Sequence, residues 1–344
     1  MATRHFITGV SGFLGRKTVD KLLAAGNEVI GIDIHRDPRL SQDIEFHIAD
    51  IRDLESVSKL MKGADVVHNH AALVPLTRAY NDFWSVNVNG VASVAKAARV
   101  NEVQTFMHTS SSAVYGSTKD VAIDANTPLK PFEPYGKSKY EGEIAVKKIL
   151  GDSDVRLAVI RPRTILGGER GGIFDLFFRW IRDGKPVFIV GKGNNKFQFV
   201  HETDLLSAYF AILNSSASGD FNVGTQHFGT LNEVFSHVIN FANSESKVVH
   251  LPVFAAVNGA AILEKTKLSP LAPWHYKSFH HPFYFDMSPL EELGWSSVFS
   301  NNELFEFAYS NFIETGGSST TSTSSPHSRP LDGKILEKIQ RVFR

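Results

Sequence analysis

Residues 8–16, TGVSGFLGR, decide how the first half of this chain folds. They follow the apolar run HFIT (5–8) and open an amphipathic segment at 13–25, which is the order strand, turn, helix. Three glycines in the turn stand at intervals of three residues. Glycines at this spacing let the backbone turn tightly, approach a pyrophosphate closely and seat a helix against a sheet.

The helix that follows this turn completes the dinucleotide-binding pattern. Its N-terminus presents backbone N–H groups to phosphate oxygens. The sequence therefore predicts a dinucleotide site at the start of the chain. Its predicted cofactor contacts are Gly9, Gly12, Phe13, Leu14 and Gly15.

An acidic residue after the second strand indicates which dinucleotide binds. The run EVIGID (28–33) ends in Asp33, eighteen residues after Gly15. That is near the spacing at which a carboxylate takes the adenosine ribose hydroxyls. A carboxylate there repels the 2′-phosphate of NADP, so NAD is the predicted cofactor. Arg36 is the residue that would favour NADP instead.

Apolar runs and helical patterns alternate through the first half of the chain. Such alternation predicts an α/β fold with a doubly wound parallel sheet of the Rossmann type and helices on both faces. The predicted strands are HFIT (5–8), EVIGID (28–33), EFHIA (45–49), DVVH (65–68), TFMHT (105–109) and RLAVI (156–160).

The second half changes to glycine-rich turns, aromatic residues and isolated helices. We expect an NAD-binding domain at 1–165, to which 197–224 returns, and a second, smaller substrate lobe at 166–315. Residues 316–344 read as a Ser/Thr-rich linker and a short amphipathic helix, KILEKIQRVFR. We expect that helix to dock on its own chain or a second subunit, with a peripheral membrane contact as the alternative.

Composition excludes several classes of function. The 344 residues carry 36 basic and 36 acidic side chains, so no overall basic field indicates a nucleic-acid partner. The absence of cysteine excludes disulfides, thiolate metal ligands and cysteine nucleophiles. No signal-peptide pattern stands at the N-terminus, and the apolar stretch at 254–263 is too short to span a bilayer. These features predict a cytoplasmic protein.

The stretch PYGKSKYEGE (134–143) contains the candidate catalytic pair. Tyr135 and Lys139 are four residues apart in a helical pattern and so share one face. A second match of the same spacing, Tyr115 and Lys119, begins at Tyr-Gly and is expected in a loop. Spacing alone leaves two interpretations of Tyr135 and Lys139 open: a catalytic couple or a solvated helix surface.

Several motifs in a fixed order make the chain resemble the extended short-chain dehydrogenase/reductase family, which includes sugar-nucleotide epimerases and dehydratases and the 3β-hydroxysteroid dehydrogenases. The resemblance covers about residues 4–315. The motifs are TGVSGFLG, ADIRD, HAA (70–72), NVNG (87–90), SSSAVYG (110–116), YGKSK (135–139), RP (161–162), FVHETDL (199–205) and ELGW (292–295).

The resemblance implies a Tyr-Lys-Ser set at Tyr135, Lys139 and Ser111, with Ser110 and Ser112 as rivals for the hydroxyl. A tyrosine hydroxyl has an ordinary pKa near ~10, and a lysine one turn away favours its ionised form. The resemblance also implies a supporting Asn87 and a homodimer built from helices 82–100 and 136–150. Asp50, at the end of the third strand, is the candidate contact for the adenine edge. Further cofactor contacts implied are Ile51, Ala71 and Ala72, beside Tyr135 and Lys139 themselves.

Departures from the family pattern bear on the substrate. Ser112 and Ala113 stand where the 4,6-dehydratases carry Asp-Glu, so dehydration is not expected. Thr164 replaces a family asparagine and Phe197 a family arginine, and no arginine occurs between Arg182 and Arg329. Predicted substrate contacts are Ser111, Ser112 and Thr164, with Arg163, Lys192 and Lys196 as the candidates for phosphate.

Three functions therefore remain open from the sequence. The first is an NAD-dependent epimerase or dehydrogenase of a sugar, possibly nucleotide-linked. The second is a hydroxysteroid-dehydrogenase-like oxidoreductase of an apolar alcohol, suggested by the missing arginines and the run FAAVNGAAIL (254–263). The third is a non-catalytic NAD-binding regulatory protein.

Two groups of histidines are candidate metal ligands. His68 and His70 alternate on one side of a strand end, but no third ligand is indicated. The cluster of His275, His280 and His281 is interpreted as structural or substrate-facing. No metal is predicted.

Overall fold

A computed structural model describes residues 2–75, 82–118, 121–167, 173–265 and 278–317, with side chains except at 261–265. The predicted C-terminal helix, most of the predicted linker, Lys119 and His275 lie outside the described residues.

The strands of the described residues match the predicted ones and add several short ones. In chain order they are β1 (Arg4–Thr8), β2 (Glu28–Asp33), β3 (Glu45–Ile48), β4 (Val66–Asn69), β5 (Thr105–Thr109), β6 (Arg156–Pro162), β7 (Thr164–Leu166), β8 (Val187–Val190), β9 (Lys196–Phe197), β10 (Phe199–His201), β11 (Gly219–Val223), β12 (Gly229–Thr230) and β13 (Val248–Leu251).

The described helices are α1 (Phe13–Ala24), α2 (Leu54–Leu60), α3 (Asp82–Trp84), α4 (Val91–Val100), α5 (Pro134–Leu150), α6 (Phe174–Arg182), α7 (Glu202–Asn214), α8 (Leu231–Phe241), α9 (Val253–Lys265), α10 (Ser288–Glu291) and α11 (Asn301–Glu314). A π-helical turn, Ser85–Gly90, joins α3 to α4, and a 3₁₀ turn, Ser112–Tyr115, follows β5.

Seven strands form one parallel sheet in the order β11-β6-β5-β4-β1-β2-β3. The doubly wound parallel sheet predicted from the sequence is confirmed. The outermost strand, β11, lies within the segment 197–224 that was predicted to return to the sheet. The domain boundaries themselves stay a prediction.

Both faces of this sheet are covered by helices, because successive side chains of a strand point to opposite sides. On β1, Phe6 belongs to one buried cluster with residues of α2, α4 and α5. The next residue, Ile7, belongs to a second cluster with residues of α1 and α7. Near-continuous apolar strands are what such two-sided burial requires.

The sheet order reverses between β1 and β4, which are neighbours although they are not consecutive. Ligands of open α/β sheets bind outside the carboxyl ends of the strands at such a switch point. The glycine turn follows β1 there, His70 follows β4, and Ser110 follows β5. The fold therefore brings the predicted cofactor and catalytic segments to one edge.

The rest of the described chain contains short strand pairs and an aromatic core. β7 pairs with β10 and β8 with β13 in parallel, whereas β9 and β12 are antiparallel. Phe174, Phe199 and Phe305 contact one another edge to face, with ring centroids 5.0 to 5.4 Å apart. This core supports the loop and strands that follow Arg163.

The apolar helix α9 projects a side chain into solvent. Phe254 is 83% exposed, so this ring does not line a closed pocket in the structure. Within the described part of the chain, no helix combines the length and apolar content that a membrane crossing needs.

Candidate active site

The glycine turn adopts a geometry that only glycine fits. Gly9 has a φ of +68°, and a Cβ atom there would lie 2.7 Å from the backbone of Ala71. A Cβ atom at Gly15 would meet the carbonyl oxygen of Gly9. The backbone N–H of Gly9 donates to the carbonyl of Ile32 at 3.0 Å, which ties the turn to the end of β2.

The N-terminus of α1 is suited to an anion. Its N-cap, Gly12, makes no side-chain capping hydrogen bond, and the first turn contains no acidic residue. An approaching phosphate therefore meets the positive end of the helix without a competing carboxylate. This cradle fits the pyrophosphate of NAD.

Asp33 lies where the sequence predicted a ribose-binding carboxylate. Its two oxygens accept hydrogen bonds from the backbone N–H groups of Ser11 (3.0 Å) and Ile34 (2.7 Å). Burial raises the pKa of Asp33, while these N–H groups oppose the shift. The carboxylate thus joins the glycine turn to the end of β2.

Arg36, the residue that would favour NADP, is engaged elsewhere. Its guanidinium donates to the carbonyl of Ser41 at 2.8 Å and lies 4.9 Å from the ring centre of Phe46. These contacts hold its charge against the segment after β2. The arrangement agrees with the predicted preference for NAD.

The end of β3 offers space beside Asp33. A groove of about 640 Å³ opens there, with Ile34, Ala49 and Asp50 among its walls. The carboxylate of Asp50 is already bound by the guanidinium of Arg52, at 2.5 to 3.0 Å. Contact of Asp50 with an adenine edge stays a prediction, and such a contact would use a carboxylate that is already charge-paired.

The other predicted cofactor contacts surround the same edge. Ile51 is buried, and its side chain occupies the space beside Gly90. The backbone N–H of Ala71 donates to the hydroxyl of Thr8 at 3.3 Å. Ala71 and Ala72 are half-buried in the turn after β4.

Tyr135 and Lys139 are positioned by the first turns of α5. Pro134 occupies the first turn, and the N-cap carboxylate of Glu133 accepts the N–H of Tyr135 at 2.8 Å. The half-buried ring of Tyr135 packs edge to face against Phe83, with centroids 5.9 Å apart. Lys139 is buried, and its Nζ donates to the carbonyl of Thr109 at 2.7 Å. The interpretation of Lys139 as part of a solvated surface therefore fails.

Burial lowers the pKa of Lys139 to about 8, against the opposing effect of Glu143. The ammonium group consequently remains largely charged at neutral pH. The group contacts Thr109 at the end of β5, and Thr109 precedes Ser111 by two residues. A positive charge one turn from Tyr135 favours the ionised phenol.

The serine segment adjoins the same helix. A Cβ atom at Gly136 would lie 2.6 Å from the carbonyl oxygen of Ala113, so glycine allows α5 to pack on the turn after Ser111. Ser111 is half-buried and accepts the N–H of Ala113 at 3.2 Å. Its two rivals are buried and bonded inward, Ser110 to Glu143 and Ser112 to Arg163.

Tyr115 has a different environment from Tyr135. It is buried, donates to Asn222 at 2.9 Å and accepts from Arg161 at 3.0 Å. Burial raises its pKa, with Arg161 opposing. Through these hydrogen bonds Tyr115 joins strands β6 and β11.

Asn87 lies in the π-helical turn and connects three parts of the site. Its side chain accepts the N–H of Leu73 (2.8 Å) and donates to the carbonyl of Leu73 and to Ser138, both at 3.0 Å. It thereby fixes the turn after β4 against α5. Sequence reasoning missed Glu133, although a residue before Pro134 is a recognisable helix start. It also missed the buried ion pair of Glu143 with Arg161.

The rings of His68 and His70 do lie on one side, with centroids 6.1 Å apart. Both nitrogens of each ring already have protein partners. Those of His68 bond His5 and Tyr209 at 2.8 Å, and those of His70 bond Thr109 and Thr18. Across the described residues, no cluster of three or more possible metal ligands occurs.

The predicted substrate residues differ in accessibility. Lys192 and Lys196 are exposed, and Thr164 is half-buried. Arg163 is only 1% exposed, so a phosphate contact, which stays a prediction, would require its surroundings to open. His280 and His281 lie near the lysines, since Asn195 donates to the carbonyl of His281 at 3.0 Å.

Comparison with known proteins places this geometry in a family. The family model for the NAD dependent epimerase/dehydratase family matches residues 5–224. An uncharacterized protein of Sinorhizobium fredii is 32% identical over 98% of this chain and 86% of its own. A putative UDP-glucose 4-epimerase of Methanocaldococcus jannaschii is 28% identical over 84% of this chain and 92% of its own. The mouse sterol-4-alpha-carboxylate 3-dehydrogenase, decarboxylating, is 27% identical over 76% of this chain and 75% of its own.

Solved structures show the same fold. The UDP-glucose 4-epimerase of Thermotoga maritima, solved with UDP-glucose, superposes with a TM-score of 0.75 at 21% identity, covering 91% of this chain and 99% of that one. The UDP-glucuronic acid 4-epimerase of Bacillus cereus, solved with NAD, gives 0.74 at 20% identity with the same coverage. The family resemblance inferred from the sequence is confirmed, and the chain belongs to the NAD-dependent epimerase/dehydratase family.

Proposed function

We propose that this chain catalyses NAD-dependent hydride transfer at a secondary alcohol carbon of a sugar, as an epimerase, with Tyr135 as the acid/base. The observation that carries the proposal is the position of Lys139. Its buried ammonium group lies one helical turn from Tyr135 and donates to the carbonyl of Thr109 at the carboxyl end of β5, and Thr109 precedes Ser111 by two residues. The burial of this charge beside Tyr135, with Glu143 acting to raise its pKa, supports a catalytic use.

The protein groups divide the reaction between them. Tyr135 takes the proton of the reacting alcohol and later returns one, while Lys139 favours the ionised tyrosine. Ser111 donates a hydrogen bond to the reacting oxygen. The glycine turn, the N-terminus of α1 and Asp33 bind and orient NAD, which accepts the hydride and returns it. Return to the opposite face of the carbon gives an epimer.

Substrate class is inferred from relatives and from departures in the chain. Relatives named for UDP-glucose 4-epimerase activity favour a nucleotide sugar. The sterol-carboxylate relative supports a second candidate, oxidation of an apolar alcohol. Phe197 in place of the family arginine agrees with that candidate, since it removes one phosphate donor. A purely regulatory role is disfavoured because Tyr135, Lys139 and their supports are all present.

A ligand panel tests the proposed class. With NAD present, we expect UDP-glucose and UDP-galactose to interconvert and UDP to raise the melting temperature more than GDP or dTDP, because bound ligand stabilises the folded state. NAD alone should raise it clearly. If no nucleotide protects the protein and no nucleotide sugar turns over, the epimerase proposal fails. Production of NADH from a hydroxysterol would then favour the second candidate.

We also infer a cytoplasmic homodimer that uses the helices at 82–100 and 136–150. Val100 and Ile144 on these helices are 74% and 46% exposed and would offer apolar contacts to the same helices of a second copy. Sedimentation of Val100→Glu/Ile144→Glu as a monomer would support the dimer. An unchanged sedimentation coefficient would exclude this interface.

A further inference from the structure

We propose that Arg163 and Ser112 form an anion-recognition pair for a substrate carboxylate close to the reacting carbon. The inference deepens the proposed function and rests on it, since Ser112 matters to the substrate only if Ser111 is at the reaction centre. It names the substrate class as a hydroxy acid, either a sugar acid or another hydroxy carboxylate.

Arg163 is a buried cation with an unused hydrogen-bond donor. Its Nε donates to the carbonyl of Gln198 at 2.9 Å, and its Nη1 donates to the hydroxyl of Ser112 at 3.1 Å. Its Nη2 is buried and has no hydrogen-bond partner. Burial lowers the pKa of Arg163 to about 9, so the group is still charged at neutral pH.

Arg161, two residues earlier, shows what a buried arginine in this fold ordinarily requires. Its guanidinium bonds the carboxylates of Glu143 and Asp220, each at 2.6 Å. Arg163 forms no salt bridge among the residues that the structure describes. A buried charge without a counter-charge is strongly destabilising. We infer that the missing negative charge belongs to the substrate.

Three aromatic rings fix the guanidinium. The centre of the Phe283 ring lies 3.9 Å from Cζ of Arg163, that of Phe197 4.7 Å and that of Phe285 5.9 Å. Cation–π contacts of this kind orient a guanidinium without neutralising it. Phe197, which the family resemblance places at the position of an arginine, packs beside this cation.

The position of Ser112 specifies the kind of anion. Its hydroxyl oxygen accepts from Arg163, which leaves the hydroxyl hydrogen to donate to a ligand. Because Ser112 follows Ser111 directly, an anion bound here lies close to the reacting alcohol. Arg163 is 1% and Ser112 4% exposed, so the anion reaches the pair only when the surrounding side chains move apart. A planar carboxylate accepts from a guanidinium and a neighbouring hydroxyl together.

Two matched ligand pairs test the proposal on the full chain with NAD. UDP-glucuronate and UDP-glucose differ only at C6 of the sugar, which is a carboxylate in the first and a neutral hydroxymethyl group in the second. 2-Hydroxycyclohexanecarboxylate differs from its methyl ester in the same negative charge. Calorimetry with the nucleotide pair and NADH formation with the simple pair should each favour the carboxylate by about tenfold or more, as expected for a charge-assisted hydrogen bond. If UDP-glucuronate binds no more tightly than UDP-glucose, and the hydroxy acid is oxidised no faster than its methyl ester, the inference is overturned.

Variants separate recognition from packing. Arg163→Gln should abolish the preference for the carboxylate while NAD affinity is unchanged, and Arg163→Lys should restore part of it. Arg156→Gln is the control, because Arg156 donates only to the protein, to the carbonyls of residues 212, 213, 215 and 217 and to the Thr105 hydroxyl. It should lower the melting temperature and keep the preference. A folded Arg163→Gln variant that retains the preference would contradict the proposal.

The pairs also separate this inference from the proposed sugar epimerase. If neither nucleotide sugar binds but 2-hydroxycyclohexanecarboxylate is oxidised in preference to its ester, the sugar proposal fails and Arg163 keeps its role. If both nucleotide sugars are epimerised equally well and the ester is oxidised as readily as the acid, the epimerase proposal stands and the carboxylate inference falls.

Discussion

At the scale of residues, two buried cations, Lys139 and Arg163, contact the segment around the serines at 110–112. Spacing and motif order favoured Tyr135 and Lys139, and the structure buries Lys139 against Thr109, which excludes a solvated surface, while the catalytic role stays a prediction. The environment of Arg163 was not predictable, because two of its three rings, Phe283 and Phe285, come from a distant part of the chain. Such contacts depend on tertiary packing and leave no local pattern.

Asp33 offers a residue-scale prediction about the cofactor. Asp33→Ala should weaken NAD binding by roughly tenfold, because the hydrogen bonds to the ribose are lost. It should also relax discrimination against NADP, because the carboxylate that repels the 2′-phosphate is removed. Titration of both dinucleotides measures this. Asp50→Ala is the control, since the Asp50 carboxylate is already paired with Arg52, and its effect should be smaller. Tighter binding of NADP than NAD by the unmodified protein would contradict the assignment.

At the scale of elements, apolar runs in the sequence predicted the long parallel strands. No sequence pattern predicted the π-helical turn or the short strand pairs. β7 and β10 pair over three residues each, too few to leave a period in the sequence. The π-helical turn places Asn87 between the turn after β4 and α5. Gly142 in α5 has no side chain and so allows α5 to pack closely against Asn87.

Gly142 supports a prediction about helix packing. A Cβ atom there would lie 2.3 Å from the carbonyl oxygen of Asn87, so Gly142→Ala should destabilise the fold by roughly 1–3 kcal/mol and disturb the site. The control is Gly259→Ala in α9, where a Cβ atom meets nothing within 4 Å. Alanine should there be neutral or stabilise by roughly 0.5–1 kcal/mol. Urea unfolding compares the two, and equal effects would argue against this packing.

The histidines between β1, β4 and α7 predict an acid-sensitive fold. Burial lowers the pKa of His5 to about 4 and that of His70 to about 3, and that of His68 well below its ordinary value. The unfolded chain therefore binds protons first, near pH 6.5, and stability should fall as the pH drops from 6.5 towards 4. At pH 5 the loss should be about 2 kcal/mol for each histidine.

Urea unfolding at pH 7.5 and 5.0 measures this loss. His5→Gln should reduce the number of protons taken up on unfolding by about one. A free energy of unfolding that does not vary between these pH values would show that the histidines are not buried as described.

At the scale of the whole molecule, the seven-stranded sheet with the predicted cofactor site was predictable from the sequence. The short strand pairs, in the part predicted to bind the substrate, were less predictable. The doubly wound sheet and its switch point follow from strand order, so the edge that holds the glycine turn, Asp33 and Ser111 was predicted. The half that selects the substrate depends on short strands and aromatic packing. The departures from the family pattern, Thr164 and Phe197, lie on two of these short strands, β7 and β9.

The central claim, that Tyr135 is the acid/base of an NAD-dependent hydride transfer, is tested most directly by comparing Tyr135→Phe with Tyr115→Phe at saturating NAD. We expect Tyr135→Phe to bind NAD normally and to turn over the substrate found in the ligand panel roughly 10²–10⁴-fold more slowly. Tyr115→Phe should lose stability, through its bonds to Asn222 and Arg161, and keep turnover within about tenfold. Loss of turnover in Tyr115→Phe together with retained turnover in Tyr135→Phe would contradict the account.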